Sequence, residues 1–166
     1  MKKVIIILCC LFSGINLYSQ EMDTTSQEGF SFPLGCKVTI KLVPIDSVNF
    51  HYSVLKFEEF NEIIDTYNND SLLSKNVEEN IIEFIFCIGT HGDTEEEKEK
   101  HYKTLLLLKS GAKIHLDYEA DALFYQQEEY QSTSVVTLWS QAKIVEMWKD
   151  AIEFIAIYNF HKKETN

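Results

Sequence analysis

Histidines and carboxylates are the side chains best equipped for chemistry in this 166-residue chain, with 5 His against 26 Asp and Glu. They gather in two places. The first is Gly89-Thr90-His91-Gly92-Asp93, which follows an apolar run. There His91 could serve as a base or a metal ligand, with Asp93 orienting it. Glu95, Glu96, Glu97 and His101 follow closely and could add cation ligands. The second is His115, Asp117, Glu119 and Asp121. On a strand, alternation would put the first three on one face, where an imidazole and carboxylates could hold a divalent metal. Each grouping also has a plainer reading. The first is a Gly-containing turn entering a solvated acidic loop, and the second is the polar face of an antiparallel strand.

No serine or cysteine nucleophile is tied to either group by spacing. The glycines stand at 14, 29, 35, 89, 92 and 111, so no G-x-G-x-x-G and no phosphate-binding P-loop can be built. G-x-S-x-G, H-E-x-x-H and an EF-hand loop are also absent from the sequence. The motifs therefore predict no catalytic residue, no metal and no cofactor, leaving His91, Asp93, His115 and Asp117 as the candidates for a metal-dependent hydrolase. Trp139, Trp148, Tyr125 and Tyr130 could line a sugar or peptide site, or serve as core and rim aromatics.

The N-terminus bears on the cysteines. Lys2 and Lys3 precede an apolar run from Val4 to Phe12, and a more polar stretch ends at Ser19. This is the layout of a cleavable signal peptide over 1–19, and the apolar run is far short of the ~20 residues a bilayer span needs. The chain is therefore expected to be exported, to the periplasm or outside the cell. Cys9 and Cys10 would leave with the leader. The remaining Cys36 and Cys87 are expected to form a disulfide, as paired cysteines outside the cytoplasm commonly do. Such a bridge stabilises by roughly 3–4 kcal/mol; two separately buried thiols are the alternative.

These groups need elements to position them. Residues 20–31 are polar and aperiodic, and predict a flexible N-terminal segment ahead of one α+β domain over 32–166. Lys37–Val43 alternates and predicts a strand, as does Val48–Leu55 with Phe50, Tyr52 and Val54 on one face. Phe57, Phe60, Ile64 and Tyr67 fall at helical spacing and predict a helix. Asn80–Gly89 predicts a strand buried on both faces. Tyr102–Lys109 and Ala112–Glu119 flank Ser110-Gly111 and predict a hairpin. Val135–Trp139 predicts a short strand, Lys143–Asp150 a helix, and Ile152–Phe160 a last strand. The sum is an α+β fold: a mostly antiparallel sheet with one or two packed helices, in a single domain.

Charge sets the function classes. The net charge is -11, and all 15 basic residues are Lys. Nucleic-acid binding, which relies on clustered Lys and Arg, is excluded. No membrane span is expected in the mature chain. An acidic domain without a catalytic motif predicts a protein that works by binding another protein, a basic partner by charge, as an inhibitor or immunity factor does. A small envelope module for a lipid or other ligand is the alternative. The oligomeric state is left open. Asp23-Thr24-Thr25, Asp46-Ser47-Val48 and Asp70-Ser71-Leu72 also resemble the Asp-Ser/Thr-apolar sites of bacterial periplasmic O-glycosylation.

Overall fold

The computed structural model describes residues 25–164. The expected signal peptide, 1–19, lies outside the described residues. Among the described residues, ten strands and one short helix follow one another: β1 (Gly29–Pro33), β2 (Cys36–Pro44), β3 (Asn49–Glu59), β4 (Ile64–Asp65), β5 (Ile81–Thr90), α1 (Glu95–Lys100), β6 (Lys103–Ser110), β7 (Leu116–Phe124), β8 (Gln131–Thr133), β9 (Lys143–Trp148) and β10 (Ile152–Lys162). They form one curled sheet in the order β8-β7-β10-β3-β2-β5-β6-β9, with β1 added to β10 and β4 to β5. Every pairing is antiparallel except β4 with β5. The result is a half-barrel.

The centre of the sheet follows directly from the residues. Val38, Ile40 and Leu42 alternate inward along β2. In β5 and β6 both faces are apolar, so both are covered. Ile82, Phe84, Phe86, Leu106 and Leu108 join the inner core. Ile85, Cys87, Leu105 and Leu107 form a smaller outer core capped by Ile64 and Leu73. The inner face is filled by large side chains, with Tyr52, Phe84, Phe86 and Phe160 fully buried. Each contributes roughly 1.5–3 kcal/mol on burial.

Single-domain, mostly antiparallel architecture is as expected, but the packed helices are not. α1 buries none of its residues, so the domain is essentially all-β rather than α+β. The helix expected over Phe57–Tyr67 is instead the end of β3, the strand β4 and the link between them. Phe60 and Ile64 do cover the outer core, while Phe57 and Tyr67 are exposed. The helical spacing was thus produced by a strand end and a covering segment. Lys143–Asp150 is also not a helix. Residues Lys143–Trp148 form β9, drawn into extended pairing with β6, and Met147 is exposed. Of the strand expected over Val135–Trp139, only an isolated bridge between Leu138 and Leu116 is present.

The expected hairpin does not form either. β6 pairs with β5 and β9, whereas β7 pairs with β8 and β10. The link between β6 and β7 joins strands that lie near opposite ends of the sheet order instead of turning back between neighbours. Gly111 permits this: a Cβ there would lie 1.9 Å from the Glu78 carbonyl oxygen.

The two ends of the sheet approach each other along a seam. Trp148 of β9 donates its indole N–H to Thr133 of β8 at 2.8 Å. Leu116 and Leu138 exchange backbone hydrogen bonds of 3.0 and 2.8 Å. β10 carries register shifts between Ile152 and Phe154 and between Tyr158 and His161. Asn159, at φ 54°, lies within the second. Ile155, Ile157 and Phe160 therefore point inward, which sends Phe154, Ala156 and Tyr158 to the outer side. Pairing starts early: Gln27 bridges Tyr52, and β1 begins at Gly29, inside the segment expected to be flexible.

Candidate functional site

His91 follows the end of β5. The chain then turns at Gly92, whose φ is 136° and whose added Cβ would lie 2.6 Å from that of Glu97. Thr94 caps α1, accepting from Glu97 N at 3.2 Å, while Glu97 Oε2 accepts from Thr94 N at 3.3 Å and Asp93 N at 2.9 Å. This capping box closes the loop. It carries His101 back onto His91, with the rings stacked 4.2 Å apart, and Tyr67 lies 5.0 Å from His91. A hollow of about 360 Å³ opens beside them, lined by Asp65, His91, Glu95, Lys98 and Tyr102 among others. Asp65 accepts from the Asn68 and Tyr67 N–H groups at 2.7 and 2.8 Å. Those bonds, aided by His91 and Lys98, hold its carboxyl below the usual range. Two rings and an aromatic neighbour are thus assembled, but Asp93 enters the structure through its backbone N–H in the cap. Among the described residues, no three His, Cys, Asp or Glu side chains converge as metal ligands.

His115 sits just before β7. Its Nδ1 accepts from Ser140 N at 3.0 Å, and its ring meets Trp139 edge-on at 4.8 Å. Asp117 accepts from Thr137 Oγ1 at 2.7 Å and pairs with Lys163 at 3.5 Å. Glu119 accepts from Asn159 Nδ2 at 2.5 Å. The side chains of His115, Asp117 and Glu119 are therefore engaged in holding the seam segment and β10 against β7.

The expected Cys36–Cys87 bridge is not seen: both are free, buried thiols. Cys36 stands opposite Phe86, not Cys87. Neighbouring positions on β5 face opposite sides. Cys36 accordingly joins the inner core and Cys87 the outer one. Burial pushes both thiols up to about 12.

Two groupings escaped the sequence reading. One is Glu146 on the seam, 9% exposed. Its Oε1 accepts from Val136 N at 2.6 Å and from the Tyr118 hydroxyl at 3.5 Å. Burial raises the carboxyl, with the Val136 bond acting in the opposite direction. Burial also raises Tyr118, which is stacked on Phe160. A raised carboxyl beside a raised hydroxyl has the chemistry of an acid–base pair. Here, however, it joins β9 to β7 and the chain before it, and neither group lines the hollows described. The signal was in the sequence: read as a strand, Ile144, Glu146 and Trp148 share one face.

The other grouping is on the outer side of β1, β10 and β7, where Ser31, Ala156 and Asp121 stand in register. In the adjoining row are Gly29, Tyr158 and Glu119. A Cβ at Gly29 would lie 2.3 Å from that of Tyr158, so glycine is what lets the strands meet there. Tyr130 is tied to the row by a 2.6 Å hydrogen bond with Ser31 Oγ. A hollow of about 570 Å³ lies among these residues. Burial, together with the Asp121 and Glu119 carboxylates, raises the Tyr158 hydroxyl to about 12. Asp121 Oδ1 is buried and accepts no hydrogen bond.

Comparison with known protein families, curated proteins and solved structures finds no match. Among the described residues, no helix is long and apolar enough to cross a membrane.

Proposed function

We propose that this chain is an exported acidic protein that acts by binding another protein, in the manner of an inhibitor or immunity factor, and that its partner presents a basic surface. The observation that carries this reading is a net charge of -11 with no arginine on a half-barrel whose concave face is packed with its own side chains. A filled interior favours work done at the surface over a lipid held inside the curl. The engagement of His115 and Asp117 in structural hydrogen bonds likewise favours binding over metal-dependent hydrolysis. Opposite charge steers such partners together, and salt weakens the encounter.

The test is capture on the immobilised chain from Gln20 onward, using envelope and secreted proteins of its own source at low and at high salt. A single stoichiometric partner that salt releases is the expected result. Capture insensitive to salt, or no partner at all, would overturn the reading.

A further inference from the structure

One edge of β3 is covered only at its start. β10 pairs with Asn49 and Phe50, and Gln27 bridges Tyr52. Beyond Tyr52, among the described residues, no strand pairs with β3 on the side away from β2. The direction of the backbone there follows from its neighbour. Phe60 N donates to Gly35 O at 2.8 Å, toward the β2 side. Alternation then turns the N–H and C=O groups of Phe57 and Glu59 away from β2. Such an open ladder edge is a template for another strand. The side chains along it are accessible, with Leu55 47% and Phe57 40% exposed. Lys56 and Glu58 pair with each other at 2.9 Å along the strand and so share one face.

We propose that this edge pairs with the same edge of a second copy of the chain, antiparallel and in register about Phe57. Identical surfaces meet about a two-fold axis, so each residue must suit its symmetry mate. Phe57 lies on that axis and exchanges both of its backbone hydrogen bonds with its counterpart. Lys56 then falls opposite Glu58 of the other copy, and Glu58 opposite Lys56. These are non-hydrogen-bonded positions, where side chains come closest and opposite charges are favourable. Centring the pairing on Lys56 or on Glu58 would instead set like charges face to face. Charges commonly guard an exposed edge, but here their order around an exposed phenylalanine is self-complementary. The irregularity opposite Thr39 and Ile40 limits the contact to a few residues, and two chains of net charge -11 repel. The dimer is therefore weak and forms with rising protein concentration.

The test is crosslinking of the chain from Gln20 onward at about 0.15 M salt, where charges more than about 8 Å apart are screened. With Phe57→Cys, the two introduced thiols meet on the axis with Cα atoms about 5.5 Å apart, within disulfide reach. With Leu55→Cys, on a residue just as exposed, the register sets the two thiols four residues apart along the strands and out of reach. Cys36 and Cys87 are buried and stay silent. Under mild oxidation Phe57→Cys should form covalent dimer about tenfold faster than Leu55→Cys, or more. Adding Glu58→Lys should slow it about threefold, and adding Lys56→Glu to that pair should restore the rate, because the swapped charges are again opposite. Equal rates at the two sites, or a swap that restores nothing, would overturn the pairing. Should Phe57→Cys fail to fold, a mixture of Lys56→Cys and Glu58→Cys chains serves, and the two should crosslink to each other faster than either does to itself. No crosslinking in either design, with the Phe57 amide protected from exchange only when a captured partner is bound, would give the edge to that partner and overturn the dimer.

Discussion

Replacing Glu146 with glutamine should stabilise the protein at neutral pH, and the gain should depend on pH in a fixed direction. Glu146 is 9% exposed, and burial raises its pKa in the folded state. In the unfolded chain the carboxyl titrates near ~4.3. Between that value and the folded one, the native protein holds more protons than the unfolded chain. Stability contributed at this residue is therefore lost as pH rises through that window. Glutamine carries no charge to desolvate. Its side-chain oxygen can still accept from Val136 N, now 2.6 Å from Glu146 Oε1, and its amide can donate to the Tyr118 oxygen. Alanine differs: it strands the Val136 N–H, which costs about 1–3 kcal/mol.

The assay is urea unfolding of the wild type, Glu146→Gln and Glu146→Ala, repeated from pH 4 to pH 8. With a slope of roughly 2 kcal/mol per molar, the alanine variant should lose about 0.5–1.5 M in its midpoint. The glutamine variant should match the wild type near pH 4 and exceed it increasingly as pH rises. Subtracting the wild-type curve removes the shared titration of the other acids. A difference independent of pH, or a glutamine variant as damaged as alanine at pH 8, would refute the reasoning.

Three further outcomes follow from the same structure. Cys36 and Cys87 should resist a thiol reagent in the native protein and react promptly in denaturant, because both are buried with pKa near 12; an intact mass showing a Cys36–Cys87 disulfide would contradict this. Gly111→Ala should destabilise by about 2–3 kcal/mol or more, because its Cβ would strike the Glu78 carbonyl backbone at 1.9 Å and over-packing there has no flexible side chain to yield; an unchanged melting temperature would show that the crossing link is placed wrongly. His115→Ala should cost about 1 kcal/mol through the lost Ser140 hydrogen bond while leaving bound zinc, measured by elemental analysis, unchanged; loss of zinc would restore the metal-site reading.

What the sequence made legible was local and periodic. Lys37–Val43 and Asn80–Gly89 fell on β2 and β5, and the two-sided burial of β5 was visible because its apolar residues occupy both alternations. What failed was anything decided by a distant strand. Period alone reads Ile144, Met147 and Trp148 as a helix face, because nothing local records that β6 offers a free edge for β9. The Ser110-Gly111 pair looks like a turn. Its glycine serves instead as a crossing point past Glu78. In β10, Asn159 in the left-handed region accompanies a register shift. Strict alternation would have put Phe154, Ala156, Tyr158 and Phe160 on one face. The irregularity sends Phe160 into the core and leaves Tyr158 outside.

That shift is also why the hollow beside Tyr130 could not have been read from the sequence. Its acids come from β7 and the residue just before β1, its aromatics from β10 and the segment before β8, and its small residues from β1 and β10. Asp121 was noticed only as the end of the run begun by His115, where it looked like one more polar residue on a solvent face. Its neighbours Ser31 and Ala156 give it meaning, and they are fixed by pairing on both edges of β10. The histidines show the converse. They drew attention because imidazoles are versatile, yet His115 spends its Nδ1 on Ser140, and His91, whose Nδ1 is buried without a partner, is stacked on His101 rather than set among metal ligands. In a chain this acidic, a carboxylate says little by its presence. The informative carboxylates are those the fold sets beside another titrating group, as it sets Asp121 and Glu119 beside Tyr158, and that distinction exists only once the strands are in register.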